Sequence, residues 1–425
     1  MKKLINLVST LAMMVSISAC GKSSDGTFKP SLDTNTDCEI TVVGNYSNFP
    51  ALQTEFNNFN EYYPNVKLRY QKLDSYDNTI AAKLENEKPN IFFSSSSMLD
   101  NSKMASVVEH MEDLLDPDLK LNLSCIREGL LNRGTTNKLL TVPIFARTYG
   151  MLVNDDLFKK EGLTVPTKWA DLFRVCESFA SKDYVNPMMG YSKGSSSSLM
   201  NTIVYPSFVS EIANNKEAID LANKLDSRAG EYMRGSLTKV MSLINSGCIN
   251  LDECNKIGDN YGKVILRFFE GDVPMMICTA DTVSGTSSRE SQSEAFVKNP
   301  FSYSFHPIPT TEEGGYFIDS PSLNFSVNKH CDNLDMTNEL MRFLLRPEKI
   351  NGMAKEKGLM TPVKDTKFDT VYAAFNNVPK ERVISPTYLG IKDALSVQVR
   401  IAAFKVGKGQ MTIDEAVAQY GSLTE

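Results

Sequence analysis

An alternating α/β fold in two domains is what this chain of 425 residues predicts, on three observations. The first is an order of elements near the start. Residues 40–43 read as a strand, Leu52, Phe56, Phe59 and Tyr63 recur at helical spacing up to Pro64, and Val66, Leu68 and Tyr70 alternate as a second strand. Ile80 and Leu84 then mark a short helix, and residues 90–93 are an apolar third strand. Such a β-α-β-α-β run implies a parallel sheet covered on both faces, with ligands at the carboxyl ends of its strands. Loops 44–48 and 94–97 are therefore the first places to look for a site. The second observation is composition: 42% hydrophobic and 23% charged residues supply a large core and exclude disorder, collagen and a coiled-coil rod for most of the length. The third is length, since about 400 residues exceed what one ordinary core holds.

Ahead of the first strand stand Lys2, Lys3 and a mostly apolar stretch over 4–17, too short to cross a hydrocarbon core of roughly 30 Å. It ends in ISACG at 17–21, which resembles the lipobox of bacterial lipoproteins. Residues 1–19 are then a signal peptide, and Cys20 carries lipid as the new N-terminus on the extracytoplasmic face of the membrane. Residues 20–37, rich in Ser, Thr, Asp and Gly, read as a flexible leash of roughly 20–25 Å. No later apolar run approaches the length of a membrane span. Of eight cysteines, Cys20 leaves Cys38, Cys125, Cys176, Cys248, Cys254, Cys278 and Cys331, an odd number, so at least one stays unpaired. Cys248 and Cys254 are spaced to close a small loop, and Cys176 lies on an apolar helix stripe as core packing.

Strands follow at 139–145 and 149–153. Trp169, Leu172, Phe173, Cys176 and Phe179 share one helix face, which places the lone Trp on the buried side. Leu237, Val240, Met241 and Ile244 form another amphipathic helix with Gly247 as its stop. Residues 273–278 are a buried strand, Phe301, Tyr303 and Phe305 alternate with Ser302, Ser304 and His306, and Thr412 with Glu415 opens the last helix as a capping box. No repeat of fixed period occurs.

A net charge of −6 argues against a nucleic-acid partner, because phosphate neutralisation needs clustered positive charge. Neither H-E-x-x-H nor G-x-x-x-x-G-K-[ST] is present. Ser236 and Lys239 match S-x-x-K, but on a helix already explained by its apolar stripe and without S-D-N or K-T-G. The paired acids Asp155/Asp156 and Glu312/Glu313 read as solvated charge, and no cofactor or metal motif emerges.

Several ordered segments carry a resemblance: FNEYYPNV at 59–66, KPNIF at 88–92, Val142-Pro143, LVNDDLFKKEGL at 152–163, PTKW at 166–169, FEGDVPMM at 269–276, FLLRPE at 343–348 and GLMTPV at 358–363. From about residue 40 to 423 the chain resembles the extracellular solute-binding proteins of family 1, the maltose-binding-protein-like receptors of ABC importers. The resemblance implies no enzyme activity and a type II-like, Venus-flytrap pair of interleaved lobes, 38–145 with 306–362 and 146–305 with 363–425, hinged at crossing segments near 143–147, 305–308 and 362–364. A small solute, most simply a carbohydrate, would bind in the cleft, and the closed form would dock on permease subunits. Hydrogen bonds to solute are expected from Asn45, Ser94, Ser95, Ser96, Ser97, Arg147, Asp281 and Asp319. With the Trp assigned to the core, stacking falls to Tyr46, Tyr149, Tyr205, Tyr316 and Tyr388. Arg147 beside the hinge adds an anionic sugar to the candidates. A peptide, polyamine or organic acid as solute, or a surface-anchored glycosidase or esterase, are the rival readings.

Overall fold

Ile40, Val42 and Val43 are fully buried, and their strand, Cys38–Gly44, pairs in parallel with Val66–Lys72 along its whole length, from Cys38 opposite Val66 to Gly44 opposite Lys72. On its other side it pairs in parallel with Ile91–Ser94. The crossovers are helices Pro50–Asn60, with proline at its first turn, and Tyr76–Asn86, so the expected β-α-β-α-β unit is present. The computed structural model describes residues 27–133, 137–182, 184, 186–258, 261–368 and 370–425. Cys20, the leader 1–19 and the start of the leash lie outside the described residues.

The sheet does not stay parallel. Strand Ser320–Val327 inserts antiparallel between Ile91–Ser94 and Val142–Arg147, giving five strands in the order 66–72, 38–44, 91–94, 320–327, 142–147. A second sheet has the order Met188–Gly190, Met275–Thr279, Tyr149–Asn154, Tyr303–His306, parallel only at its first pair. A single residue, Thr148, separates the last strand of the first sheet from Tyr149–Asn154 in the second, and the chain returns to the first sheet at 320. The molecule is thus a mixed α/β body of two interleaved lobes. The purely parallel expectation fails because alternation reports burial of a strand, not the direction of a neighbour more than 200 residues away.

Helices Leu334–Leu344 and Pro347–Lys357 cover the first sheet beside Pro50–Asn60, while Leu199–Ile212, buried on nearly every side, and Asp393–Gly407 build the second lobe. Gly247 does end helix Arg234–Asn245, at φ +78°, and Thr412 and Glu415 form both bonds of the capping box ahead of Ile413–Ala418. On helix Trp169–Ala180, Leu172, Cys176 and Phe179 are buried, but Trp169 at its first position is only half-buried, its ring edge-on to Phe173 with centroids 4.9 Å apart.

The leash is corrected over its second half, which is docked. Phe28 is 5% exposed, meets Phe343 and Tyr62 edge to face at 5.1 and 5.2 Å, and lies under the Arg342 guanidinium at 4.4 Å. Arg342 Nη2 donates to the Lys29 carbonyl at 2.6 Å, and Ser31 donates from its backbone and hydroxyl to Glu339 at 2.9 and 2.7 Å. One aromatic in a polar stretch is enough to pin it, since burying a Phe side chain contributes about 1.5–3 kcal/mol. Cys248 and Cys254 do not close a loop either: all seven described cysteines are free thiols, and Cys254 accepts instead from Asn186 Nδ2 at 3.4 Å.

Candidate functional site

A cleft of about 650 Å³ opens between the lobes. One wall is the carboxyl edge of the first sheet: Ser95, Ser96 and Ser97 beyond strand Ile91–Ser94, Ser320, Ser322 and Asn324 from Ser320–Val327, and Arg147 at the end of Val142–Arg147. The facing wall comes from Tyr205 on the buried helix and from Tyr388, Lys392, Asp393 and Ser396 at and before helix Asp393–Gly407. Asp100, Glu128, Arg133 and Lys138 close one side.

The polar floor is only partly satisfied by the protein. Ser95 and Ser97 hydroxyls bond each other at 2.8 Å, whereas Ser96 Oγ and Asn324 Oδ1 are buried without a partner among the described residues. Asn324 spends its amide on the Ser94 carbonyl at 3.4 Å, which leaves the oxygen as an acceptor. Such orphaned groups cost free energy until something bonds them. Arg147 Nη1 reaches Asp281 Oδ2 at 3.3 Å, and the other Asp281 oxygen accepts from Ser322 Oγ. Burial works against the Arg147 charge, but Asp281 and the neighbouring tyrosines win and raise its pKa. Tyr205 stands 5.2 Å from Tyr149, centroid to centroid, and its hydroxyl accepts from Ser396 Oγ at 3.3 Å; burial raises the pKa of both phenols.

Of the residues expected from sequence, Ser95, Ser96, Ser97, Arg147, Tyr205 and Tyr388 line the cleft. Asp281 joins them through Arg147 and Ser322, and Tyr149 stands behind Tyr205. The others sit elsewhere. Ser94 is buried and accepts from Ser326 Oγ at 2.8 Å. Asp319 is sealed into a two-bond pair with Arg127 at 2.7 and 2.8 Å, and Arg127 also donates to the Thr361 carbonyl, a brace between segments. Tyr46 wedges between Phe49 and Phe93 with Lys357 Nζ 4.6 Å over its ring, and Asn45 is an exposed neighbour. Gly44 permits that packing, because a Cβ there would stand 2.5 Å from the Phe93 ring. Tyr316 lines an adjoining cavity of about 540 Å³ together with Tyr388 and Glu128, its ring under the Arg382 guanidinium. Six charged residues of the cleft, Asp100, Glu128, Arg133, Lys138, Lys392 and Asp393, were not singled out, for they sit on separate segments with no local signature.

Three serines bear on the hydrolase reading. Ser236 is buried, and Ser192, the centre of a G-x-S-x-G run over 190–194, is 1% exposed and donates to Asn255 Oδ1 at 2.8 Å. Ser304 Oγ contacts His306 Nε2 at 2.7 Å, but Asp155 receives the serine at 2.6 Å, so the serine, not the histidine, carries the carboxylate of a would-be triad.

Two α/β lobes with a polar, aromatic-flanked cleft between their sheets have the architecture of a receptor for a small solute. The family described as bacterial extracellular solute-binding protein matches residues 55–374, and this chain belongs to it. No curated protein matches the chain. Solved structures share the fold. RafE of Streptococcus pneumoniae in its apo-form is 16% identical with a TM-score of 0.69, covering 91% of this chain and 98% of that one, and RafE bound to raffinose gives 0.67. A sugar transporter protein of Bacillus licheniformis in complex with stachyose is 15% identical with a TM-score of 0.62, covering 91% and 100%. A family 1 extracellular solute-binding protein from Bifidobacterium longum subsp. infantis is 14% identical with a TM-score of 0.66, covering 90% and 98%. Among the described residues no helix is long and apolar enough to cross a membrane.

Proposed function

We propose that this protein captures a carbohydrate in the interlobe cleft and hands it to the permease of an ABC importer, held at the membrane by lipid on Cys20. The observation that carries the solute class is a wall of serines, Ser95, Ser96, Ser97, Ser320 and Ser322, with Tyr205 and Tyr388 across the gap. Hydroxyl-rich rings match such a site, because their edges exchange hydrogen bonds while their apolar faces rest on aromatic rings. The volume lies within the range of small-molecule sites, and the raffinose and stachyose held by the similar structures support the same class.

The moving parts are taken as 38–145 with 306–362 and 146–305 with 363–425; in support, each unit holds most of one sheet, and the chain first passes from one sheet to the other at 148. Solute that touches both walls binds the closed form better than the open one, and this differential affinity sets the closed population the permease would read.

Thermal unfolding against mono- and oligosaccharides, uronic acids among them because Arg147 faces the cleft, tests the reading. A true solute at 100 times its Kd adds about 2.7 kcal/mol. Stabilisation by a peptide, polyamine or organic acid with silence across all sugars overturns the carbohydrate class and leaves the receptor; turnover of a chromogenic glycoside or ester overturns the receptor.

A further inference from the structure

The docked segment shortens the tether that a lipid on Cys20 would have. Beyond Phe28 and Ser31, Leu32 N donates to Tyr63 Oη at 3.3 Å and Asn65 Nδ2 to the Asn35 carbonyl at 3.2 Å, so the chain follows the lobe surface as far as the strand that begins at Cys38. Only the eight steps from Cys20 to Phe28 are left to span the distance to a bilayer, and in any conformation they reach at most about 29 Å. Without the dock, the eighteen steps from Cys20 to Cys38 would reach about 65 Å.

The dock sits at one end of the molecule. Phe28 packs on Phe59, Tyr62 and Phe343, and Asn60 Nδ2 beside them donates to the Val66 carbonyl at 2.7 Å. Val66, opposite Cys38, marks the amino edge of the first sheet, whereas the cleft runs along its carboxyl edge. The register continues that axis into the second lobe. Val43 lies opposite Phe92, Phe93 opposite Phe325, and Phe325 opposite Val142, so strand Val142–Arg147 begins where Cys38–Gly44 ends, and Tyr149–Asn154 follows it. Asn154 then pairs with Tyr303, and helix Glu294–Lys298 stands by that far end, the Phe296 ring 5.0 Å from Phe301. Three strands in succession measure at most about 60 Å.

We propose that the Phe28 dock orients the receptor on its membrane: the amino-edge end of the first lobe is the surface that faces the bilayer, and the second lobe points outward with the cleft between them. The proposal rests on the lipid anchor of the function proposed above. A body resting on the far end of its second lobe would lift Phe28 roughly 60 Å from the bilayer, beyond a tether of about 29 Å but within the 65 Å of an undocked one. One buried aromatic thus decides which end of the protein the membrane meets.

The test anchors the full-length lipoprotein in liposomes of phosphatidylglycerol and phosphatidylcholine whose headgroups carry an energy-transfer acceptor. A donor dye is placed by Lys67→Cys, beside the dock and 74% exposed, or by Val297→Cys, at the far end and 64% exposed. Both are made in a Cys38→Ser background, since the other six described cysteines are buried. Transfer from position 67 is expected to exceed that from position 297, and Phe28→Ala to abolish the excess. A Gly-Ser insert of about ten residues after Gly26 restores a reach of about 65 Å without touching the dock and is expected to abolish it too. Equal transfer from the two positions, or an excess that survives both changes, would overturn the inference and leave the anchor standing. Protein that fails to float with the liposomes overturns the anchor and the inference together.

Discussion

Arg147 and Asp281 meet at 3.3 Å across the join between the lobes, the arginine ending the last strand of the first sheet and the aspartate opening the helix Ala280–Ser284 that follows a strand of the second. The side chains are 47% and 36% exposed, so the pair contributes about 0–1 kcal/mol to stability, and under the proposed reading the two groups exchange each other for solute hydroxyls.

Asp281→Asn is therefore expected to change the unfolding free energy by less than about 1 kcal/mol while weakening solute binding about tenfold, near 1.4 kcal/mol. Denaturant titration and isothermal calorimetry separate the two. Unchanged affinity would remove Asp281 from the site.

Tyr388 is 71% exposed on the cleft wall, a poor place for a large ring unless something covers it. Tyr388→Ala should leave stability within about 0.5 kcal/mol and cost about 1 kcal/mol of sugar affinity. Tyr205, at 6% exposure, behaves differently: Tyr205→Ala is expected to destabilise by about 3–5 kcal/mol, whereas Tyr205→Phe, which loses only the bond from Ser396, costs about 1 kcal/mol.

Phe28→Ala should free the docked segment without unfolding the lobe. Hydrogen exchange at residues 29–32 is the readout, with protection falling to that of an open coil while helix Leu334–Leu344 keeps its own. Retained protection would mean that Ser31 and Arg342 hold the segment unaided.

The Glu339 carboxyl gives that dock a pH dependence. Burial opposes its charge, but donation from Arg342, Tyr63 and Ser31 outweighs burial and holds its pKa below the ordinary 4.5. A depressed carboxylate adds stability that is present in full above about pH 4.5 and is lost as the pH falls through the folded-state value. Wild type should thus lose its advantage over Glu339→Gln on acidification below pH 4.5, as read from urea midpoints. A pH-independent difference would contradict the ionised carboxylate.

Membrane attachment has its own check: Cys20→Ala should move the protein from the membrane fraction to the soluble one. Retention in the membrane would exclude the lipid anchor.

The patterns legible from the chain are the local ones. Strand 40–43, the apolar spacing from Leu52 to Tyr63, Gly247 and the Thr412–Glu415 box act over a few residues, so their physics is written in adjacent letters and the structure agrees. Ser95, Ser96 and Ser97 were found for the same reason, as the loop beyond a parallel strand. Sequence by itself determined the α/β class, the interleaved two-lobed architecture through family resemblance, and one wall of the cleft. Tertiary structure alone decided that Ser320–Val327 enters the first sheet, that Asp319 belongs to Arg127 rather than to solute, that Phe28 settles on Phe343, and that Cys254 meets Asn186 rather than Cys248. The physical reason is common to all four: periodicity tells which face of an element leaves water, while the partner that covers it is chosen by shape and hydrogen-bond complementarity between segments far apart in the chain.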